Sequence, residues 1–141
     1  MKRKDFPLLS HDSQEWEFIR YFKPSEFEDS RTGQLKIALA LVSKLDQMRH
    51  ILNRPLIITS GYRTHRTNEL VGGSPNSSHL YGLAVDIKVS NSKERFELVR
   101  LALEFGIRRI GIADTFVHLD IDPEKPQDLI WTYDFNGGQN K

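Results

Sequence analysis

Two histidines and one aspartate carry the strongest chemical signal in this chain: His79, Asp86 and His118. His79 and Asp86 close a stretch rich in Gly, Ser, Asn and Pro that ends Ser77-Ser-His79-Leu-Tyr-Gly82-Leu-Ala84-Val-Asp86. The small residues Gly82 and Ala84 let another group come close to the backbone there. Two imidazoles and a carboxylate form a donor set that suits Zn²⁺, with a fourth position left to water. The absence of cysteine excludes a disulfide framework, thiolate catalysis and a zinc site built on sulfur. A metal here must therefore be held by His, Asp or Glu. His11, His50 and His65 have no such surroundings and read as ordinary surface or hydrogen-bonded side chains.

The elements needed to position these groups are visible as periodicities. Over 83–89, Leu83, Val85, Ile87 and Val89 alternate with Ala84, Asp86 and Lys88, which predicts a strand with one apolar face and Asp86 on the other. The segment 116–121 repeats the device, with Val117, Leu119 and Ile121 opposed to His118, Asp120 and Asp122. Further strand signals lie at 56–59 and 109–112. Residues 33–53 place Ile37, Leu41, Leu45, Met48 and Leu52 at helical spacing. A second helix opens at Asn91, with Glu94 three residues on as in a capping box, and runs through Phe96, Val99, Ala102 and Leu103 to Gly106. A weaker pattern predicts an N-terminal helix around 13–21, left through the turn Phe22-Lys-Pro-Ser-Glu. These elements specify an α+β domain whose antiparallel or mixed sheet is covered by helices on one side and carries a polar site on the other. The long polar loop between the strands at 56–59 and 83–89 exceeds what a compact domain ordinarily needs for a connection, which points to function.

At 141 residues and 16.3 kDa the chain is the size of one domain. We divide it into an N-terminal extension at 1–21, a main domain at 22–135 and a frayed tail at 136–141. A formal charge of +1 gives no general attraction for polyanions. Arg49, His50, Arg54, Arg63, His65 and Arg66 form a basic cluster in sequence, but no base-stacking aromatics accompany it, and nucleic acid is not an expected partner. No stretch is long and apolar enough to span a bilayer, and MKRKDFPLLS lacks the apolar core of a signal peptide. The expectation is a soluble monomer made in the cytoplasm, with no export signal visible.

The stretch Ser77-x-His79-x-x-Gly82-x-Ala84-x-Asp86, preceded by Ser60-Gly-Tyr-Arg63 and followed by Phe116-Val-His118-Leu-Asp120, resembles the zinc D-Ala-D-Ala carboxypeptidase group, peptidase family M15, in its short phage and prophage-type form. The resemblance runs from Phe22-x-x-Ser-Glu-Phe to Trp131-Thr-Tyr, nearly the whole domain. It implies a fold shared with the hedgehog signalling domain, with a central antiparallel sheet and helices mainly on one face. It further implies one Zn²⁺ per chain held by His79, Asp86 and His118, and hydrolysis of an amide bond in peptidoglycan stem peptides through a metal-bound water, at the periplasm or cell wall. Arg63 matches the family's arginine that binds substrate and steadies the oxyanion, a task suited to a planar fork. Members usually place the general base about three residues before the last ligand; here that position is Thr115, and the carboxylate lies one residue earlier, at Asp114. Asp114 is the first choice for the base. Asp120 competes with it, its other role being to orient a ligand. Tyr62 and Trp131 read as packing residues. A zinc-containing module that binds the wall or a ligand without cutting it is the alternative function.

Overall fold

The protein is described here by a computed structural model covering residues 1–133, so the expected domain end at 135 and frayed tail at 136–141 lie outside the described residues. Its first strand, β1 (Leu8–Leu9), pairs antiparallel with β2 (Ile37–Ala38). This pair shortens the expected helix over 33–53: with Ile37 and Ala38 extended, helix α1 spans Leu39–Leu52. Leu41, Val42, Leu45 and Met48 form its buried stripe, and Asn53 ends it in the left-handed region at φ 55°. In place of the helix expected around 13–21 the chain makes a single 3-10 turn, Gln14–Phe18. The following backbone is drawn onto α1 instead, where the Asp46 carboxylate accepts from the Arg20 and Tyr21 N–H groups at 3.0 and 2.9 Å. Leu9 is buried, and Trp16 and Ile19 pack on the core. Arg3 donates to Asp122 at 3.0 Å, so residues 1–21 are fastened to the rest at both ends.

Strand β3 (Ile58–Ser60), the short helix α2 (His65–Leu70), strand β4 (Ala84–Lys88), helix α3 (Ser92–Glu104) and strands β5 (Arg109–Ile112), β6 (Phe116–Asp120) and β7 (Leu129–Thr132) complete the described chain. The boundaries of α3 follow its capping residues. Asn91 Oδ1 accepts from the Glu94 N–H at 2.8 Å, Glu94 reaches back to the Ser90 N–H, and Gly106 takes φ 79° just past the end.

The main sheet has the order β3-β4-β6-β5-β7. Its first three pairings are antiparallel, but β7 lies parallel to β5, so the sheet is mixed, one of the two forms the strand patterns allow, rather than the central antiparallel sheet the resemblance implies. The reason is the loop 121–128. It steps across the end of β5 and sends the chain back antiparallel to β6, hence parallel to β5. Gln127 braces that loop by donating to the Asp122 and Lys125 carbonyls, both at 2.8 Å.

Val85, Ile87, Ile110, Val117 and Leu119 form the apolar face of the sheet and join the stripes of α1 and α3 in one core. The opposite face carries the row Ser60, Asp86, His118, Gly111 and Trp131, fixed by cross-strand register. The predicted functional loop crosses beside this face and contains α2 and a 3-10 turn at Ser78–Tyr81. Gly82 ends that turn at φ 70°, and a Cβ there would lie 2.2 Å from the Lys36 carbonyl oxygen, so both backbone shape and space demand glycine. Its own carbonyl accepts from the Ala38 N–H, which joins the loop to β2.

Candidate metal centre

Asp86 and His118 face one another because β4 and β6 pair in a register that sets these two residues directly opposite. His79 arrives from the 3-10 turn, whose start is capped by Ser77 Oγ accepting from the His79 N–H at 3.2 Å. Ser78 Oγ donates to Asp122 at 2.9 Å and holds the turn against the end of β6. One donor atom from each of His79, Asp86 and His118 lies within 4.8 Å of the others, and all three residues are buried.

Hydrogen bonds select the atoms that face inward. His79 Nδ1 is 2.7 Å from the Gly61 carbonyl, which can only accept, so Nδ1 carries the proton and Nε2 presents its lone pair toward Asp86 Oδ1. His118 Nε2 is 3.0 Å from Asp120 Oδ2 and donates to that carboxylate, leaving Nδ1, 2.9 Å from Asp86 Oδ1, as the inward nitrogen. Two imidazoles whose outer nitrogens are tied to a carbonyl and a carboxylate, meeting a carboxylate between them, are the arrangement metal-binding histidines take. The donor set fits a divalent metal ion that prefers nitrogen and oxygen.

The electrostatics follow from the same contacts. Burial works to raise the Asp86 carboxyl, but the two imidazoles outweigh it and hold it far below the usual carboxylate range. Burial lowers His79, with Asp86 opposing, so this imidazole stays neutral and its lone pair available. Burial also pulls on His118, yet its bonds to Asp120 and Asp86 prevail and push it up to about 9. Metal binding at His118 must therefore displace a proton. Asp120 is lowered to about 2, burial being outweighed by its bond to His118.

Arg63 enters from the loop after β3. Its side chain donates to Ser60 Oγ at 3.1 Å, to Asn68 Oδ1 at 3.2 Å and to Asp86 Oδ2 at 3.4 Å. It thus secures the outer oxygen of Asp86 while lining the same cavity of about 190 Å³ as His79, Asp86 and His118. Cavities of about 310 and 500 Å³ adjoin on either side, the first past His118 and Lys125, the second past Arg63 and Ser60.

Asp114 is not brought to this group. It is exposed in the turn between β5 and β6, its carbonyl accepting from Arg95 at 2.8 Å, and it lines none of these three cavities. His118 is the third residue of β6, and at about 3.3 Å per residue the strand alone separates it from the turn by roughly 7 Å. Asp120 is at the site, but both its oxygens are engaged: Oδ2 by His118, Oδ1 by the Asp122 N–H at 2.8 Å and by Arg109 at 3.4 Å.

Asp29 is a residue that pattern reading passed over. Fully buried, it accepts from the Thr32 and Thr64 N–H groups and from the Thr32 and Thr67 hydroxyls, fixing the loop that delivers Arg63. The run Asp29-Ser-Arg-Thr-Gly33, a turn signature with Gly33 at φ 73°, was its signal. Burial raises this carboxyl, but the Thr32, Thr64 and Thr67 bonds outweigh it and set it below the ordinary 3.8. Asp29→Ala should cost about 3 kcal/mol, or roughly 10 °C in Tm, because it orphans several buried donors. A group whose folded pKa is depressed contributes fully above its unfolded pKa and loses that contribution as pH falls through the folded value. Thermal melts of the two proteins should therefore converge as pH drops below 3.8. A constant gap would show that Asp29 acts through packing alone.

A buried His-Asp-His triad on the polar face of an α+β sheet, with an arginine beside it, defines a candidate metal-dependent hydrolase. The sequence profile of the Peptidase M15 family matches residues 20–120, and the chain belongs to that family. A segment of 51 residues is 41% identical to the zinc D-Ala-D-Ala carboxypeptidase of Streptomyces albus G. That match covers 36% of this chain and 20% of the relative, so the chain spans about a fifth of that protein's length. Among the described residues no helix is long and apolar enough to cross a membrane.

Proposed function

We propose that the chain is a zinc metallopeptidase that hydrolyses an amide bond in peptidoglycan stem peptides, as a D-Ala-D-Ala carboxypeptidase or a related endopeptidase, at the cell wall or periplasm. The observation that carries this reading is the triad itself, with the outer nitrogen of each histidine committed and the inner one facing Asp86. His79 Nε2, Asp86 and His118 Nδ1 would hold one zinc ion. Bound there, zinc would supply Lewis acidity, lowering the pKa of a coordinated water and polarising the scissile carbonyl. Asp120 is a positioning residue that fixes the His118 ring and its tautomer. Arg63 orients the substrate with the N–H groups it does not spend on Ser60, Asn68 and Asp86. The adjoining cavities give room for peptide on both sides of the triad.

Asp120→Asn should weaken zinc binding about 10–100-fold, the range for a hydrogen-bond partner of a metal ligand. Asp114→Asn, by contrast, should hydrolyse within a few-fold of the unmutated chain, since its carboxylate faces solvent. A large kcat loss in Asp114→Asn with zinc retained would restore it as the general base.

The second reading, a zinc-containing module that binds without cutting, is favoured by one feature. Among the described residues Asp86 is the sole carboxylate lining the triad's cavity, and it is a candidate ligand. Turnover of D-Ala-D-Ala dipeptide and of purified muropeptides, with and without chelator and with products identified by mass spectrometry, separates the two. Chelator-sensitive cleavage supports the peptidase; zinc binding without cleavage of any stem peptide supports the module.

A further inference from the structure

Tyr133 stands at the end of the sheet, its N–H bonded to the Ile112 carbonyl at 2.9 Å. Its ring meets that of His118 edge to face at 6.5 Å, and it lines both the triad's cavity and the 310 Å³ cavity beyond His118. The ring can lie there because β5 has glycine beneath it. A Cβ on Gly111 would stand 2.7 Å from Tyr133 Cε2 and 2.7 Å from Trp131 Nε1. Trp131 packs beside it, the two ring centroids 6.5 Å apart. A phenol O–H can donate as well as accept, and Tyr133 lines the cavity in which Arg63 forms another wall.

We propose that Tyr133 is a further catalytic residue of this site, its phenol donating a hydrogen bond to the scissile carbonyl oxygen as that oxygen takes on negative charge. The inference rests on the peptidase reading. In the hydrolysis the oxygen of water bonds to the carbonyl carbon, the C–N bond breaks, and the leaving nitrogen takes its proton from that water. Tyr133 keeps its own proton throughout and supplies only the hydrogen bond, which strengthens as charge develops and so favours the transition state over bound substrate.

The test is Tyr133→Phe, which keeps the ring and removes the hydroxyl. In the zinc-loaded chain kcat on D-Ala-D-Ala should fall by about 10²–10³-fold, the usual cost of one oxyanion donor, with KM within about threefold. Zinc content should be unchanged. By calorimetry, the affinity for a phosphinate analogue of D-Ala-D-Ala, whose charged oxygens stand in for the oxyanion, should fall by a similar factor. A variant with unmutated kcat and phosphinate affinity overturns the assignment, as does one in which only KM rises. An unmutated chain that cuts neither the dipeptide nor any muropeptide and does not bind the phosphinate overturns the peptidase reading and this role with it.

Discussion

Replacing His79, Asp86 or His118 by alanine is expected to abolish stoichiometric zinc binding. Each would supply one of three protein donors, and two remaining donors would not hold the ion against dialysis. The loss should exceed by far the roughly 10–100-fold effect of removing an outer hydrogen-bond partner such as Asp120. The variants should differ in what else they disturb. Asp86→Ala removes the carboxylate between both imidazoles and leaves the Arg63 guanidinium without its ion-pair partner. His79→Ala leaves the Gly61 carbonyl without its side-chain donor but spares the β4–β6 pairing. Metal analysis after dialysis, with circular dichroism to confirm folding, measures the outcome. Full occupancy in all three variants would sink the site.

Arg63→Lys is expected to retain zinc and lose kcat/KM by about 10²–10³-fold. Charge is conserved in this change, so electrostatic support of Asp86 survives. The fork is not. Arg63 spends one N–H each on Ser60, Asn68 and Asp86, all from one plane, and of the five N–H groups of a guanidinium the others would serve the substrate in the proposed reaction. A lysine ammonium is a single point with three rotatable donors and cannot bridge these partners and a substrate oxygen together. The expected cost is that of losing a donor aimed at a developing charge. Unmutated turnover would show that Arg63 serves Asp86 alone, through its charge.

The period-two alternation in β4 and β6 is enough to assign Asp86, His118 and Asp120 to the polar face, because successive side chains on a strand must point to opposite sides. The ends of α3 are equally legible, since Asn91 and Gly106 act through hydrogen bonds and dihedrals a few residues away. Local signals fail where the deciding contact is distant. Ile37 and Ala38 have the spacing of a helix but are claimed by Leu8 and Leu9. The 13–21 segment gives its backbone donors to Asp46, far along the chain. Asp114 is close to His118 in sequence, and a turn removes it to solvent.

The sequence by itself determined the donor chemistry and the face on which most of it stands: two imidazoles and carboxylates, no thiol, Asp86 and His118 on polar strand faces. The tertiary structure alone decided that Asp86 lies opposite His118, that Nε2 of one histidine and Nδ1 of the other face inward, that Asp120 orients His118 rather than lining the triad's cavity, and that β7 delivers Tyr133 beside them. The physical reason is range. Strand periodicity and helix caps are local and are written in neighbouring residues, whereas register, tautomer and cavity walls depend on partners tens of residues away, which no local pattern encodes.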